Sequence, residues 1–445
     1  MNPTSLQVHA KEIFLEALRA VDARAATRRA VTLSDSLLRV GDTAIDIAGR
    51  PIYLVAIGKA AGAMTAGLTD VLGERISRGI ACGPRSAKVN ANWLSFVGGH
   101  PFPTAESIAA ARATLQLLAT AEQNAIIIFL ISGGGSAMFE LPVDESISLD
   151  DLREANRQLV SCGASIVEIN AVRRAFSAVK GGKLAAVAPQ ADQITLIVSD
   201  TNPGDFTSVA SGPSIRIKDT ADYAREVVRL YGLADSLPAS ILKAIEHPTS
   251  AEREPPTSGL RAHYVLLDNR TALGAAAAEA SARGFAVEIA SDINEQEIGV
   301  GCDLLISRAQ TLWTQHGEKP ICLISGGEFS CPVRGDGIGG RNLETALRCS
   351  LKLGVFAREG TAQHWVVLSA GTDGLDGNSP ASGALADETT IARADSAGLD
   401  ASSFLKRSDS FSFFAGLGDE IITGATGTNV RDVRVVIATS IEFSA

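Results

Sequence analysis

The chain has 445 residues and a formal charge of −10 with no basic run, so it is long enough for two cores and lacks the charge pattern of a general nucleic-acid binder. Hydrophobic residues make up 46% and aromatics only 5%, a balance carried by Ala, Gly and aliphatic side chains that suits tightly packed α/β structure. Its apolar runs stay short of the ~20 residues that span a bilayer, six cysteines form no C-x-x-C pair, and six histidines show no metal-ligand spacing, which argues against a membrane protein, a disulfide framework and a zinc site.

The first stretch, MNPTSLQVHAKEIFLEALRAVD, has no signal-like apolar segment; Leu6, Ile13, Phe14, Ala17, Leu18 and Val21 share one helical face, predicting a helix over 5–22 in a cytoplasmic protein. Ile52 to Ile57 read as a buried strand, and Gly58-Lys59-Ala60-Ala61-Gly62 turns it into a helix of small residues. Lys59 then adds a point charge to an anion site at a helix start, a place that disfavours lysine otherwise. In Gly98 to Pro103, His100 either touches ligand or shapes the loop, and Thr104 caps a helix to about Thr120. Ala125 to Ile131 is an unbroken apolar run, the mark of a strand buried on both faces. It ends in Ser132-Gly133-Gly134-Gly135-Ser136, whose glycines let backbone N–H groups approach an anion, and strand ends of this kind are where open α/β sheets bind ligands.

Ser148 caps a further helix, and a helical stretch from about Ile166 to Val179 carries Asn170, Arg173 and Arg174, followed by Lys180 and Lys183. Such a basic cluster in an acidic chain suits phosphate or carboxylate, or forms a solvated face. Ile194 to Val198 form a strand whose loop holds Asp200 and Asp205; these could hold Mg²⁺ beside phosphate oxygens, accept a hydroxyl proton, or build Asx turns. HPTSAEREPPTSGLR, residues 247–261, reads as a linker. Beyond it, strands at Tyr264 to Leu267 and Ala286 to Ile289 alternate with helices to about Arg283 and from about Asn294 to His316.

LISGG then recurs. Ile321 to Ile324 lead into Ser325-Gly326-Gly327-Glu328, and Phe329 to Arg334 alternate like a strand. Gly335, Gly337 and Gly340 match G-x-G-x-x-G, but the dinucleotide fingerprint needs that motif directly after a buried strand and an acidic residue ending the next one. Arg341 and Asn342 lead into a helix predicted from about Leu343, and an arginine at that glycine-rich start suits a phosphate clamp better. Val366 to Ser369 form a strand ending in Ala370-Gly371-Thr372-Asp373-Gly374, and Val433 to Ala438 close the chain. There is no P-loop and no G-x-S-x-G elbow.

Eight ordered stretches resemble the glycerate 2-kinase family, whose C-terminal part is the MOFRL module and whose members often carry the label hydroxypyruvate reductase of tartrate degradation. They are VAIGKAAGAM, GGHPFPTAES, LISGGGSAM, INAVRRAFSAVKGGKLA, LIVSDTNPGDFTSVASGPS, LISGGEFSCPVRGDGIGGRNLETAL, SAGTDGLDGNSPASGALAD and LGDEIITGATGTNVRD. The resemblance implies two α/β domains with largely parallel sheets and an active site in the interdomain cleft: a Rossmann-like domain over 1–246 and a MOFRL-type domain over 262–445. It implies Mg²⁺-dependent transfer of phosphate from ATP to the 2-hydroxyl of D-glycerate; NAD(P)-dependent hydroxypyruvate reduction is the alternative.

The family's catalytic lysine and arginine fall on Lys59 and Arg341. With them the expected site takes Asp200 as a catalytic carboxylate and Asp205 as the metal ligand. Gly58, Ser132 to Ser136, Arg173, Lys180, Ser325 to Glu328, Gly337, Gly340, Asn342 and Asp373 would bind substrate and ATP. Phe176 and Leu343 depart from the family, which usually has a basic residue or His at the first position and Gln at the second. The expected partners are small molecules, without nucleic acid or membrane; a homodimer is one option for the assembly, which the sequence does not fix.

Overall fold

The computed structural model describes residues 3–87, 92–217, 221–248, 258–317, 319–359 and 362–440. The chain divides into one unit of Ala23–Leu267 and another in which Asp268–Ala445 is joined by Met1–Asp22.

In the first unit, helix Ala23–Ala30 leads into an antiparallel meander of β1 (Val31–Ser34), β2 (Leu37–Val40) and β3 (Thr43–Asp46). The two longest apolar runs of the unit then become the centre of a parallel sheet. β4 (Ile52–Ile57) pairs with β5 (Ile76–Gly83), which pairs with β6 (Trp93–Val97). On the other side of β4 lie β7 (Ile126–Ser132), β8 (Asp192–Val198) and β9 (Arg261–Leu267). Every residue of β4 and β7 is buried, which a strand covered on both faces requires. Each fully buried Ile or Val there contributes about 1.5–3 kcal/mol. The order β6-β5-β4-β7-β8-β9 reverses between β4 and β7, so the loops after these two strands stand at the switch point where such sheets open a crevice. Apart from this sheet, helices Leu149–Ser161, Ile166–Phe176, Ala221–Leu230 and Ala239–Glu246 enclose a second apolar cluster around Leu152, Phe176 and Ile241.

The second unit is built differently. β10 (Ala286–Ile289) runs parallel to β11 (Ile321–Gly327), but β12 (Gln363–Gly371), β13 (Gly383–Asp387), β14 (Glu420–Ile421) and β15 (Asp432–Ser440) join through antiparallel pairs in the order β10-β11-β15-β12-β13-β14. The expectation of largely parallel sheets therefore fails here: the closing strand β15 returns between β11 and β12 and reverses both pairings. β11 and β12 consequently point the same way, and both end beside Asp432, the first residue of β15.

Three boundaries also differ from expectation. Helix Pro3–Ala20 packs on helix Asn269–Ala282 and on β12 and β15, because the face carrying Leu6, Ile13, Phe14 and Ala17 is buried there. β9 was expected to open the second domain but is the edge of the first unit's parallel sheet. Phe329 to Arg334 form no strand, with a single bridge between Ser330 and Glu297. The linker expected at 247–261 lies mostly outside the described residues.

Candidate active site

At the switch point of the parallel sheet, the chain leaving β4 is stitched to the chain leaving β7. Lys59 N–H donates to Gly133 O at 2.8 Å, and Ala60 N–H donates to Ser132 Oγ at 2.9 Å. Ser132 Oγ in turn donates to Ile57 O at 3.2 Å. Gly58 has φ 106°, and a methyl group there would lie 2.3 Å from Ser132 O, so only glycine lets the two strand ends close on each other. A methyl group on Gly133 would meet Asp200 Oδ2 at 1.8 Å, and one on Gly134 would meet His100 Cδ2 and Lys59 Cγ at 3.2 Å each. Lysine, aspartate and histidine from three separate loops thus converge on the bare backbone of SGGGS. Behind the loop, Ser136 Oγ and Ser211 Oγ are 2.8 Å apart, and Ser211 donates to Asn170 Oδ1 at 2.8 Å. Ala210 and Ser211 hold positive φ of 52° and 61°, a conformation that L side chains adopt only where the surroundings enforce it.

The basic residues nearby are spent differently. Lys180 is 1% exposed and ion-paired with Glu140, which also accepts from Ser177 Oγ at 2.5 Å. Burial pushes the Lys180 ammonium below its ordinary value, and Glu140 opposes that. Lys180 is therefore corrected from a substrate ligand to a structural cation. Arg173 donates from Nε to Asn156 at 2.9 Å, and Lys183 donates to the carbonyls of Arg174 and Ser177 at the end of their helix. Asp205 accepts from Thr207 Oγ1 at 3.1 Å, in a turn where Thr201 Oγ1 donates to the Asp205 carbonyl. Ser132 is fully buried, so its hydroxyl staples strands rather than reaching ligand.

In the second unit, Arg341 begins helix Arg341–Glu359. Its Nε donates to Asp432 Oδ2 at 2.6 Å and its Nη2 to Asp432 Oδ1 at 3.1 Å, while Glu328 takes Nη2 at 2.9 Å. The buried Asp432 would resist ionisation, but Arg341 outweighs that and holds its carboxyl below the usual range. The amides of Asn342 and Leu343 donate to the buried Asp376 carboxylate at 3.1 and 2.8 Å. Burial raises the Asp376 carboxyl to about 7. Asn342 is fixed further by Ser369 Oγ, which donates to its Oδ1 at 2.7 Å. A cavity of about 390 Å³ beside Arg341 is lined by Phe329, Val333, Glu344, Asn378 and Ser410 among others.

The second LISGG loop is locked from behind. Arg434, 1% exposed, donates to Ser325 Oγ at 3.0 Å and to the Gly326 carbonyl, with its guanidinium 3.6 Å from the Phe329 ring centre. Gly327 N–H donates to Asn269 Oδ1 at 3.2 Å. Asp373 Oδ1 accepts from Leu375 N–H at 3.2 Å. The glycine loop before Arg341 is no phosphate cradle: Gly337 N–H donates to Arg407 O, Ile338 N–H to Asp409 and Gly339 N–H to Asn378. Gly340 packs against Asp376, where a methyl group would lie 2.5 Å from the carboxyl carbon. That carboxylate occupies the helix amides a dinucleotide pyrophosphate would need, so the G-x-G-x-x-G match has no dinucleotide-binding geometry.

A family model described as a domain of unknown function, DUF4147, matches residues 9–246, and the MOFRL family model matches residues 321–432. Over 433 residues the chain is 33% identical to a glycerate 2-kinase of Pyrococcus horikoshii, covering 96% of each. The chain belongs to the glycerate 2-kinase family. It is also 34% identical over 391 residues to a D-glycerate 2-kinase of Thermotoga maritima, covering 86% of this chain and 90% of that one. A crystal structure of glycerate kinase from Thermotoga maritima superposes with a TM-score of 0.79 at 30% identity, covering 98% and 99% of the two chains.

Phe176 and Leu343, the two positions expected to depart from the family pattern, are both fully buried in apolar clusters. Sequence reasoning passed over Asp432, Arg434, Asn269 and the capping role of Asp376. The one available signal was the three charges Arg431, Asp432 and Arg434 inside the otherwise apolar run VRDVRVVIA.

Proposed function

We propose that the protein is a cytoplasmic kinase that transfers the γ-phosphoryl group of ATP to the 2-hydroxyl of D-glycerate with Mg²⁺. The observation that carries this reading is the convergence of Lys59, Asp200 and His100 on the SGGGS loop at the sheet's switch point. Membership of the glycerate 2-kinase family supports it, and six free cysteines suit a reducing compartment.

Phosphoryl transfer asks a protein mainly for positioning and charge. Lys59 would neutralise charge on the transferring group, and the amides around Gly133 to Gly135 would orient phosphate oxygens; Arg341, on which the family's catalytic arginine falls by resemblance, would act as a phosphate clamp. Asp200 would accept the proton of the attacking hydroxyl. Arg173 remains the proposed partner of the glycerate carboxylate. Among the described residues no three His, Cys, Asp or Glu side chains gather as a metal cage, and Mg²⁺ characteristically takes one or two carboxylates with phosphate oxygens and water. The Asp205 carboxylate, beside Thr207 in the loop after β8, fits that donor set. When bound, the ion would neutralise phosphate charge.

Incubation with D-glycerate, ATP and Mg²⁺, read by ADP release and phosphorus NMR, tests the proposal. ADP with 2-phosphoglycerate is expected. ADP with 3-phosphoglycerate overturns the position of transfer. No ADP, with NADH oxidised by hydroxypyruvate, overturns the kinase.

A further inference from the structure

β15 opens with a carboxylate that the strand's burial does not ask for. Asp432 is 1% exposed. Its backbone is registered opposite Gly327 of β11 on one side and Gly371 of β12 on the other, and its carbonyl accepts from the Asn269 side chain at 3.0 Å. From there the carboxylate takes two adjacent N–H groups of Arg341, Nε at 2.6 Å and Nη2 at 3.1 Å. A side-on pair of this kind fixes the plane of the guanidinium as well as its place. Glu328 adds a contact at 2.9 Å to the same Nη2, so the partners of Arg341 crowd one edge of the fork. The same arginine borders the 390 Å³ cavity.

A buried ion pair contributes little net stability compared with a well-packed apolar pair. Its distinctive property is directional, and here the direction is imposed on the arginine of the proposed chemistry.

We propose that Asp432 is a positioning residue for phosphoryl transfer: it grips the Nε–Nη2 edge of Arg341 and thereby presents the rest of the guanidinium to the reacting phosphoryl group in a fixed plane. This rests on the kinase reading above. Asp432 acts through Arg341 and touches neither substrate nor nucleotide. Because a misplacement of about 1 Å can cost ~10²-fold, loss of the grip should show in turnover rather than in binding.

The test is a double-mutant cycle with Asp432→Asn and Arg341→Ala, assayed for kcat and KM with ATP and D-glycerate. The expected result is a kcat about 10²-fold lower in Asp432→Asn, KM values within about threefold, and no further loss when Asp432→Asn is added to Arg341→Ala. Nitrogen-15 NMR of arginine side chains gives a readout independent of turnover: an Nε–H signal protected from solvent exchange, lost in Arg341→Ala and equally unprotected in Asp432→Asn. Should Asp432→Asn fail to fold, Asp432→Glu, which keeps the charge but displaces it, enters the same cycle with the same expectations. An equal loss of kcat in both backgrounds overturns the proposal, as does a kcat at the wild-type level in the Asp432 variant. Absence of ADP release by the wild-type protein overturns the kinase reading and leaves the grip to the NMR signal. A protected Nε–H unchanged by the Asp432 substitution overturns the grip whatever the activity.

Discussion

LISGG occurs at Leu130–Gly134 and again at Leu323–Gly327, and the two copies do different work. In both, the serine is fully buried and its hydroxyl serves the fold: Ser132 fastens β7 to the end of β4, and Ser325 accepts from Arg434. In both, the last glycine has a positive φ, 78° at Gly134 and 79° at Gly327. The difference comes from the neighbours. β7 lies between parallel strands, so the loops after β4 and β8 emerge at the same edge and bring Lys59 and Asp200 to the glycines. β11 lies beside the antiparallel β15, whose start delivers Asp432 and the buried Arg434 instead. An identical pentapeptide sets the turn, and strand direction decides which chemistry meets it.

The largest expected effect separates the two copies by activity. Lys59→Ala should lower kcat by about 10²–10³-fold, the range for losing one charge-stabilising group, with an unchanged melting temperature. Ser325→Ala should change kcat much less. Normal turnover in Lys59→Ala would break the comparison.

The next effect compares the buried cations. Lys180→Met strands Glu140 without its partner and should cost about 3–5 kcal/mol in urea unfolding. Arg434→Met leaves a hydroxyl and a carbonyl unserved, at about 1–3 kcal/mol. The reverse order would show that Arg434, not Lys180, is the main internal fastening.

Substituting the matched glycines sharpens the contrast further. A methyl group at Gly327 would meet the Asn294 carbonyl at 2.4 Å, whereas one at Gly134 meets side-chain atoms of His100 and Lys59 at 3.2 Å. Both substitutions carry the left-handed backbone penalty of about 1–2 kcal/mol. Gly327→Ala should therefore lower the melting temperature more, and Gly134→Ala should lower kcat more. Equal losses in both assays would count against a division of labour.

The last effect is a pH dependence confined to the second unit. Asp376 keeps its proton to about 7 in the fold, against 3.8 for an unperturbed aspartate. Between those values the folded chain holds a proton that the unfolded chain has released. This group's contribution is complete below about 3.8 and declines as pH rises through about 7. Subtracting the stability of Asp376→Asn from that of the wild type between pH 5 and 8 should give a difference that falls with pH. A flat or rising difference would show that Asp376 is already ionised.

Much of this architecture was legible in the sequence because it is written in local signals. Ile52–Ile57 and Ile126–Ser132 are apolar throughout, and glycines at their ends marked the turns that now carry Lys59 and the SGGGS loop. β5 was missed because Arg78 and Gly79 interrupt it. Gly79 is there to let the Trp93 ring lie on the strand, 2.7 Å from where a methyl group would be. The meander strands have four residues each, too few for alternation to register. Lys180 looked like a ligand because its counter-charge, Glu140, stands 40 positions away. Asp432 lies 91 positions from Arg341, and nothing in its neighbourhood along the chain announces that pairing. Strand direction in the second unit was equally hidden, since it depends on where β15 enters.

Helix Pro3–Ala20 belongs to the unit that β15 completes. Leu6, Ile13 and Phe14 are made well before β15, yet part of the sheet that covers them is Asp432–Ser440, some four hundred positions further along the chain. On a ribosome the Ala23–Leu267 unit has all its strands long before then and can close first. The helix meanwhile lacks part of the sheet that buries its apolar face.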